Sequence, residues 1–190
     1  MWTIIKKEVK SYFLSPIAYI FIGLFLFMNS IFFYLDVYAI GRVNFEYMFG
    51  SLATVLTFAV PILTMRMFAE ERKNGTEQIL YTSPRSITSI VLGKFLAAKK
   101  IMVICEVFTL MYLGILKYFG QPHISTALVT LLGFLLLSMA YIAFGMFASS
   151  ITENQIIAGV ITIAGLLVIW FMPSFYSSLS NFSLINVFSN

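Results

Sequence analysis

Long stretches without a charged residue set the strongest limit on how this chain can fold. Residues 11–35 form 25 consecutive uncharged positions, and residues 47–65 form 19. A helix needs about 20 apolar residues to cross a bilayer, and one charge at the centre of such a helix costs about 2.5 to 3.5 kcal/mol. The two runs therefore predict the first two spans of an all-α, polytopic membrane protein.

Three further apolar segments bring the prediction to five spans. Span three covers residues 101–116 with flanking turns, span four covers about 124–149, and span five covers about 155–172. After Pro173 the chain is rich in Ser and Asn, so we expect 173–190 to be an outer tail. Residues 1–190 then form a single transmembrane domain.

Composition supports the same class of protein. Apolar residues make up 60% of the chain and charged residues 11%, whereas a soluble domain is about 45 to 50% apolar and about 25% charged. These values and the mean hydropathy of +0.93 argue against a soluble enzyme or a DNA-binding domain. The expected environment is the lipid bilayer, with no nucleic-acid partner, and the single Cys105 leaves no pair for an internal disulfide.

The distribution of Lys and Arg predicts the orientation. Ten of the twelve precede span one or follow span two, and only Arg42 and Lys117 fall on the other side. Basic residues on short loops stay in the cytosol, so we expect a multi-pass protein of the cell membrane with a cytoplasmic N-terminus. The ten are Lys6, Lys7, Lys10, Arg66, Arg72, Lys73, Arg85, Lys94, Lys99 and Lys100.

The N-terminal residues 1–12 have the pattern of an amphipathic helix. Trp2, Ile5 and Val9 recur at helical spacing, followed by Phe13, and the lysines take another face. This pattern is typical of an interfacial helix on the inner leaflet. An ordinary charged flank of span one is the alternative.

Residues 66–100 form the predicted cytoplasmic loop and hold ten of the twenty charges. That is more charge than a connection between two spans requires. We expect span two to continue as a helix through Glu70 and Glu71 to a stop at Gly75. Ser86 is expected to cap the helix that enters the membrane as span three.

Between these two helices the sequence predicts a short helix that docks onto a cytosolic partner. Thr76 can cap it, Glu77 suits its first turn, and Ser83-Pro84 ends it. Its apolar side chains would otherwise meet water, which favours a partner contact. The alternative is contact with lipid headgroups or with the other spans. The predicted docking residues are Thr76, Glu77, Gln78, Ile79, Leu80 and Tyr81.

The same loop resembles a known family. Residues 61–72 (PILTMRMFAEER), 75–84 (GTEQILYTSP) and 92–95 (LGKF) resemble ABC-2 type permeases, in particular the gliding-motility and copper-maturation branch. Residues 8–19 and 149–155 fit the same pattern.

The resemblance implies the membrane-spanning permease of an ATP-binding-cassette transporter, an exporter that pairs with a second copy or a related permease. It also implies that the helix after Gly75 is a coupling helix seated on separate cytosolic ABC ATPase subunits. Such permeases have six spans, so we expect a sixth span beyond Asn190.

We predict no enzyme activity and no cofactor in this chain, with ATP and Mg bound by the partner ATPase. The pair Gly93-Lys94 lacks the other residues of a phosphate-binding loop, since Thr88 stands at the first glycine and Phe95 at the hydroxyl position. The enzyme alternative is a membrane protease, to whose Glu-Glu-x-x-x-Arg signature Glu70-Glu71 is similar, but position 75 is Gly. The alternative outside enzymes is a passive pore or a membrane scaffold.

Two features of the predicted spans are candidates for special roles. Glu106 is the one acidic residue inside a predicted span, and intramembrane acids are functional candidates. The alternatives for it are a hydrated vestibule or a basic neighbour. Gly145 and Ser149 have the small-xxx-small spacing of close helix packing.

Overall fold

The computed structural model describes residues 2–36, 45–75, 86–119 and 123–181. Within these ranges every regular element is a helix, which confirms the predicted all-α class. The predicted docking residues 76–81 and Arg42 lie outside the described residues. The helices are α1 (Trp2–Leu14), α2 (Pro16–Tyr34), α3 (Phe45–Thr64), α4 (Ala69–Lys73), α5 (Ile87–Phe119), α6 (Ile124–Ile151) and α7 (Gln155–Asn181).

Among the described residues, five segments are long and apolar enough to cross a membrane, in agreement with the predicted number. They are α2, α3 continued by α4, α5, α6 and the larger part of α7. The second span is the centre of the bundle, since 61% of its apolar segment is buried, against 22 to 33% in the other four. It packs against α2, α6 and α7, and Leu52, Leu56 and Leu63 on it are fully buried.

Span three differs from its predicted extent. The helix begins at Ile87, directly after Ser86 as predicted, and runs without a break to Phe119. Its 33 residues span about 50 Å at the rise of an α-helix, which exceeds the bilayer core of about 30 Å. The second half of the predicted loop 66–100 is therefore largely the first part of α5.

Span two continues through Glu70 and Glu71 to Lys73, as predicted, but it is not one uninterrupted helix. Residues 65–68 form a turn that separates α3 from α4. The amides of Phe68 and Ala69 leave the helical ladder and donate to the side chain of Ser149 on α6. The predicted stop is confirmed, because Asn74 caps α4 and Gly75 has a φ of +69°.

The last span also extends beyond its predicted end. The helix α7 passes through Pro173 and continues to Asn181, so the first part of the predicted outer tail 173–190 is helical. Proline is tolerated inside membrane helices, where neighbouring groups satisfy the freed backbone.

Candidate functional site

The helices α1, α4 and α5 meet at one end of the spans, and the close approach of α1 to α5 depends on Gly93. A Cβ at this position would lie 2.7 Å from Cγ2 of Ile4, a distance that real Cβ atoms do not show. Glycine therefore lets α1 lie directly against α5. This contact brings Glu8, one turn after Ile4, beside Lys94.

Lys94 joins the three helices. Its Nζ lies 2.8 Å from Oε1 of Glu71 on α4 and 3.4 Å from Oε2 of Glu8 on α1. The Lys94 side chain is only 4% exposed, and its Nζ also lies 5.4 Å from the centroid of the Phe68 ring. A buried ion pair has to be well matched, because loss of one partner leaves an uncompensated buried charge.

Two further contacts involve residues that line the same cavity as Lys94. Nε of Arg66 lies 2.6 Å from Oε2 of Glu70, one helical turn later. The hydroxyl of Tyr12 donates to the carbonyl of Leu63 at 3.2 Å, which ties α1 to the end of α3. Burial raises the pKa of Tyr12 above its ordinary value, with a smaller contribution from the charge of Glu8. Tyr12 therefore remains a protonated donor.

We call Glu8, Tyr12, Arg66, Glu70, Glu71 and Lys94 the charged cluster. They border a cavity of about 170 Å³ whose other lining residues are Lys7, Ser11, Met67 and Asn74. Carboxylates and cations balance around this cavity, so it presents no field of a single sign. The charged cluster is therefore a contact that holds α1, α4 and α5 together.

Ser149 on α6 holds the turn between α3 and α4. Its Oγ accepts from the amides of Phe68 and Ala69, each at 3.1 Å, and donates to the carbonyl of Met65 at 3.2 Å. One hydroxyl thus satisfies three backbone groups that the broken helix leaves open. This gives span four a direct connection to α4.

Gly145, one turn before Ser149, lies where α3 and α7 both approach α6 closely. A Cβ there would lie 2.9 Å from Cβ of Thr64 and 3.2 Å from Cγ2 of Thr162, and it would also overlap Oγ1 of Thr64. The predicted close packing at Gly145 and Ser149 is confirmed.

The predicted docking residues 76–81 lie outside the described residues, but both flanks of this segment are described. Gly75 follows α4, and Ser86 precedes α5. These two helices are the ones that the ion pair between Glu71 and Lys94 joins. The segment 76–85 therefore connects two helices that this ion pair holds together.

Glu106 lies away from this cluster. It follows Lys94 by twelve residues on the same helix, about 18 Å along the axis. It is 5% exposed, and its Oε1 has no hydrogen-bond partner within the described ranges. Near it, the side-chain amide of Asn29 on α2 donates to Oγ1 of Thr109 at 2.7 Å, so α2 and α5 share a polar contact within the membrane.

Sequence reasoning did not single out Glu8, Tyr12 or Lys94. A signal was available for Lys94, since it stands among the apolar residues 90–98 of a helix that the sequence predicts, and lysine is almost never fully buried without a partner. Nothing in the sequence alone identified Glu8 and Glu71 as its partners, because they are distant along the chain.

The fold defines a multi-pass helical membrane protein whose spans are joined at one end by a buried charged cluster. The family model described as ABC-2 family transporter protein matches residues 41–190. The chain therefore belongs to the ABC-2 transporter family, and with five candidate spans among its described residues it is an ABC transporter permease. Searches of curated proteins and of solved structures found no match.

Proposed function

We propose that this permease is the membrane subunit of an ATP-driven exporter and that residues 76–82 form its contact with separate cytosolic ABC ATPase subunits. The observation that carries the proposal is the ion pair between Lys94 and Glu71. It joins the two helices that flank residues 76–85. A force on this segment would therefore act on α4 and α5 together.

A movement of α4 and α5 would be transmitted to the membrane spans through the following contacts. Helix α5 is continuous from Ile87 to Phe119, so movement at its start is carried into span three. Helix α4 is hydrogen-bonded to Ser149 of span four, and Glu8 on α1 pairs with Lys94 on α5. The turn at residues 65–68 interrupts the helix between α3 and α4, so the two do not form one rigid rod.

In this proposal the energy comes from ATP and Mg bound by the ATPase, and this chain transmits it. We further propose that the permease pairs with a second copy or a related permease and that its N-terminus is cytoplasmic. The ten-to-two division of Lys and Arg supports this orientation. The motifs at residues 61–72 and 75–84 support the gliding-motility and copper-maturation branch.

Replacing Leu80 and Tyr81 together with alanine tests the proposed contact. No span is altered, so membrane insertion should be unchanged. A buried aromatic anchor contributes about 2 kcal/mol or more, so co-purification with the ATPase should weaken about thirtyfold or more, and export should be abolished. The matched control replaces Ile115 and Tyr118, which are exposed at the other end of α5. Unchanged ATPase binding and export in the Leu80→Ala, Tyr81→Ala variant would refute the proposal.

A further inference from the structure

A row of exposed side chains runs along the outer side of α1. Trp2, Lys6, Lys10 and Leu14 follow one another at intervals of four residues, so they share one side of the helix. All four are exposed, with Trp2 at 69% and Leu14 at 77%. We call these four residues, together with Lys100 on α5, the basic stripe.

Lys100 adds a third cation to the basic stripe from a second helix. Its Nζ lies 4.3 Å from the centroid of the Trp2 ring. This cation–π contact places the ammonium group of α5 beside the first turn of α1. The stripe is therefore a surface that two packed helices form together.

The lysines of α1 in the basic stripe lack carboxylate partners. Among the residues that the structure describes, Lys6 and Lys10 form no ion pair and no side-chain hydrogen bond. Glu8 is the one acidic residue of α1, and it pairs with Lys94 in the charged cluster. Lys7 differs from its neighbours, because it lines the cavity of that cluster. The stripe thus presents positive charge alone.

Both ends of the basic stripe lie where an apolar run begins. Leu14 ends α1, and α2, the first candidate span, begins at Pro16. At the other end, Trp2 contacts Lys100, which directly precedes the apolar residues that start at Ile101. Tryptophan is enriched at the boundary between membrane and water. The stripe therefore follows this boundary, at the level of the lipid headgroups.

We propose that the basic stripe binds the headgroups of anionic phospholipids, with phosphate groups at Lys6, Lys10 and Lys100. Unpaired ammonium groups at a membrane surface attract anionic lipids. The exposed apolar side chains of Trp2 and Leu14 match the acyl region beside those headgroups, which favours a lipid over an acidic protein surface. The binding depends neither on the proposed orientation nor on the proposed ATPase contact.

The fluorescence of Trp2 tests the proposal, because the chain has only two tryptophans and a Trp170→Phe background leaves Trp2 alone. The full chain is reconstituted in vesicles with equal amounts of phosphatidylglycerol and phosphatidylcholine, one of which is brominated and quenches nearby tryptophan. Brominated phosphatidylglycerol should quench Trp2 more than brominated phosphatidylcholine. One lysine at a membrane surface tightens binding of an anionic lipid about fivefold, so Lys6→Gln, Lys10→Gln should lower this preference at least about fivefold.

Two control variants separate the basic stripe from general effects of charge and folding. Lys6→Arg, Lys10→Arg keeps the charge and should keep the preference. Lys73→Gln, Lys117→Gln removes the same charge outside the stripe and should also keep it. The proposal is overturned if both lipids quench Trp2 equally, or if the two glutamine variants behave alike. It is also overturned if Lys6→Gln, Lys10→Gln keeps the lipid preference but weakens co-purification with the ATPase, because the occupant would then be a protein.

Discussion

Nζ of Lys94 lies 2.8 Å from Oε1 of Glu71, so a nearly buried ion pair joins the start of α5 to α4. The two residues are 23 positions apart in the chain, and the segment between them contains the predicted docking residues 76–81. The pair therefore links the two helices that flank residues 76–85. A force applied to these residues would act on α4 and α5 together.

We predict that Lys94→Met destabilises the bundle. The substitution removes the cation that the carboxylates of Glu8 and Glu71 share, and loss of one partner of a buried pair costs about 3 kcal/mol or more. The measurement is the resistance of the purified protein to unfolding by SDS. The control is Lys73→Met on the exposed end of α4, which should change the free energy of unfolding by less than about 0.5 kcal/mol. An equal effect of the two substitutions would contradict the ion-pair account.

Ser149→Ala is expected to destabilise the connection between α6 and α4. The loss of Oγ leaves the amides of Phe68 and Ala69 without their acceptor, at a cost of about 1 to 3 kcal/mol. Hydrogen exchange at these two amides should rise in the variant. The neighbouring Ser150 is the control, because its hydroxyl donates to the carbonyl of Phe147 within the same helix. Protected amides in Ser149→Ala would show that other groups hold the turn.

Gly145→Ala should lower stability, because the added Cβ would collide with the side chain of Thr64 and such overpacking costs about 1 to 3 kcal/mol. Gly133→Ala on the same helix is the matched control. A Cβ at Gly133 meets nothing within 4 Å, so this change should be neutral or stabilising by up to about 1 kcal/mol. Thr64→Ala should relieve part of the Gly145→Ala defect. Thermal unfolding is measured for Gly145→Ala, Gly133→Ala, Thr64→Ala and the Thr64→Ala, Gly145→Ala double variant. Equal midpoints for the two single glycine substitutions would disprove the close contact.

The sequence predicted the number of spans and the helix boundaries at Gly75 and Ser86, because both depend on local signals. An apolar run of sufficient length forms a span in any context, and a glycine with positive φ ends a helix. The turn at residues 65–68 could not be predicted in this way. It depends on Ser149, whose hydroxyl comes from a helix about 80 residues later. Glu8 and Glu71 could not be predicted as the partners of Lys94 either, because they lie 86 and 23 residues from it in the chain.

The orientation of the chain is tested by cysteine labelling from outside intact cells. In a Cys105→Ser background, single cysteines at outer positions should react with a membrane-impermeant reagent, and those at inner positions should not. Labelling at position 74 would overturn the orientation. The positions predicted to be outer are Asn44, Gln121 and Asn181, and those predicted to be inner are Asn74 and Asn154.

The central claim is that the contact at residues 76–82 moves α4, together with α5, relative to the connection between α6 and α7. Spin labels at Asn74 and Glu153, both exposed, report the distance between the end of α4 and the connection between α6 and α7. The measurement uses the complex with its ATPase in a Cys105→Ser background, with the ATPase in excess.

We predict that ATP shifts the distance distribution in the wild type and in the Ile115→Ala, Tyr118→Ala control. The shift should be reduced in Lys94→Met and absent in Leu80→Ala, Tyr81→Ala. An ATP-dependent shift of the same size in the Leu80→Ala, Tyr81→Ala variant would contradict the account.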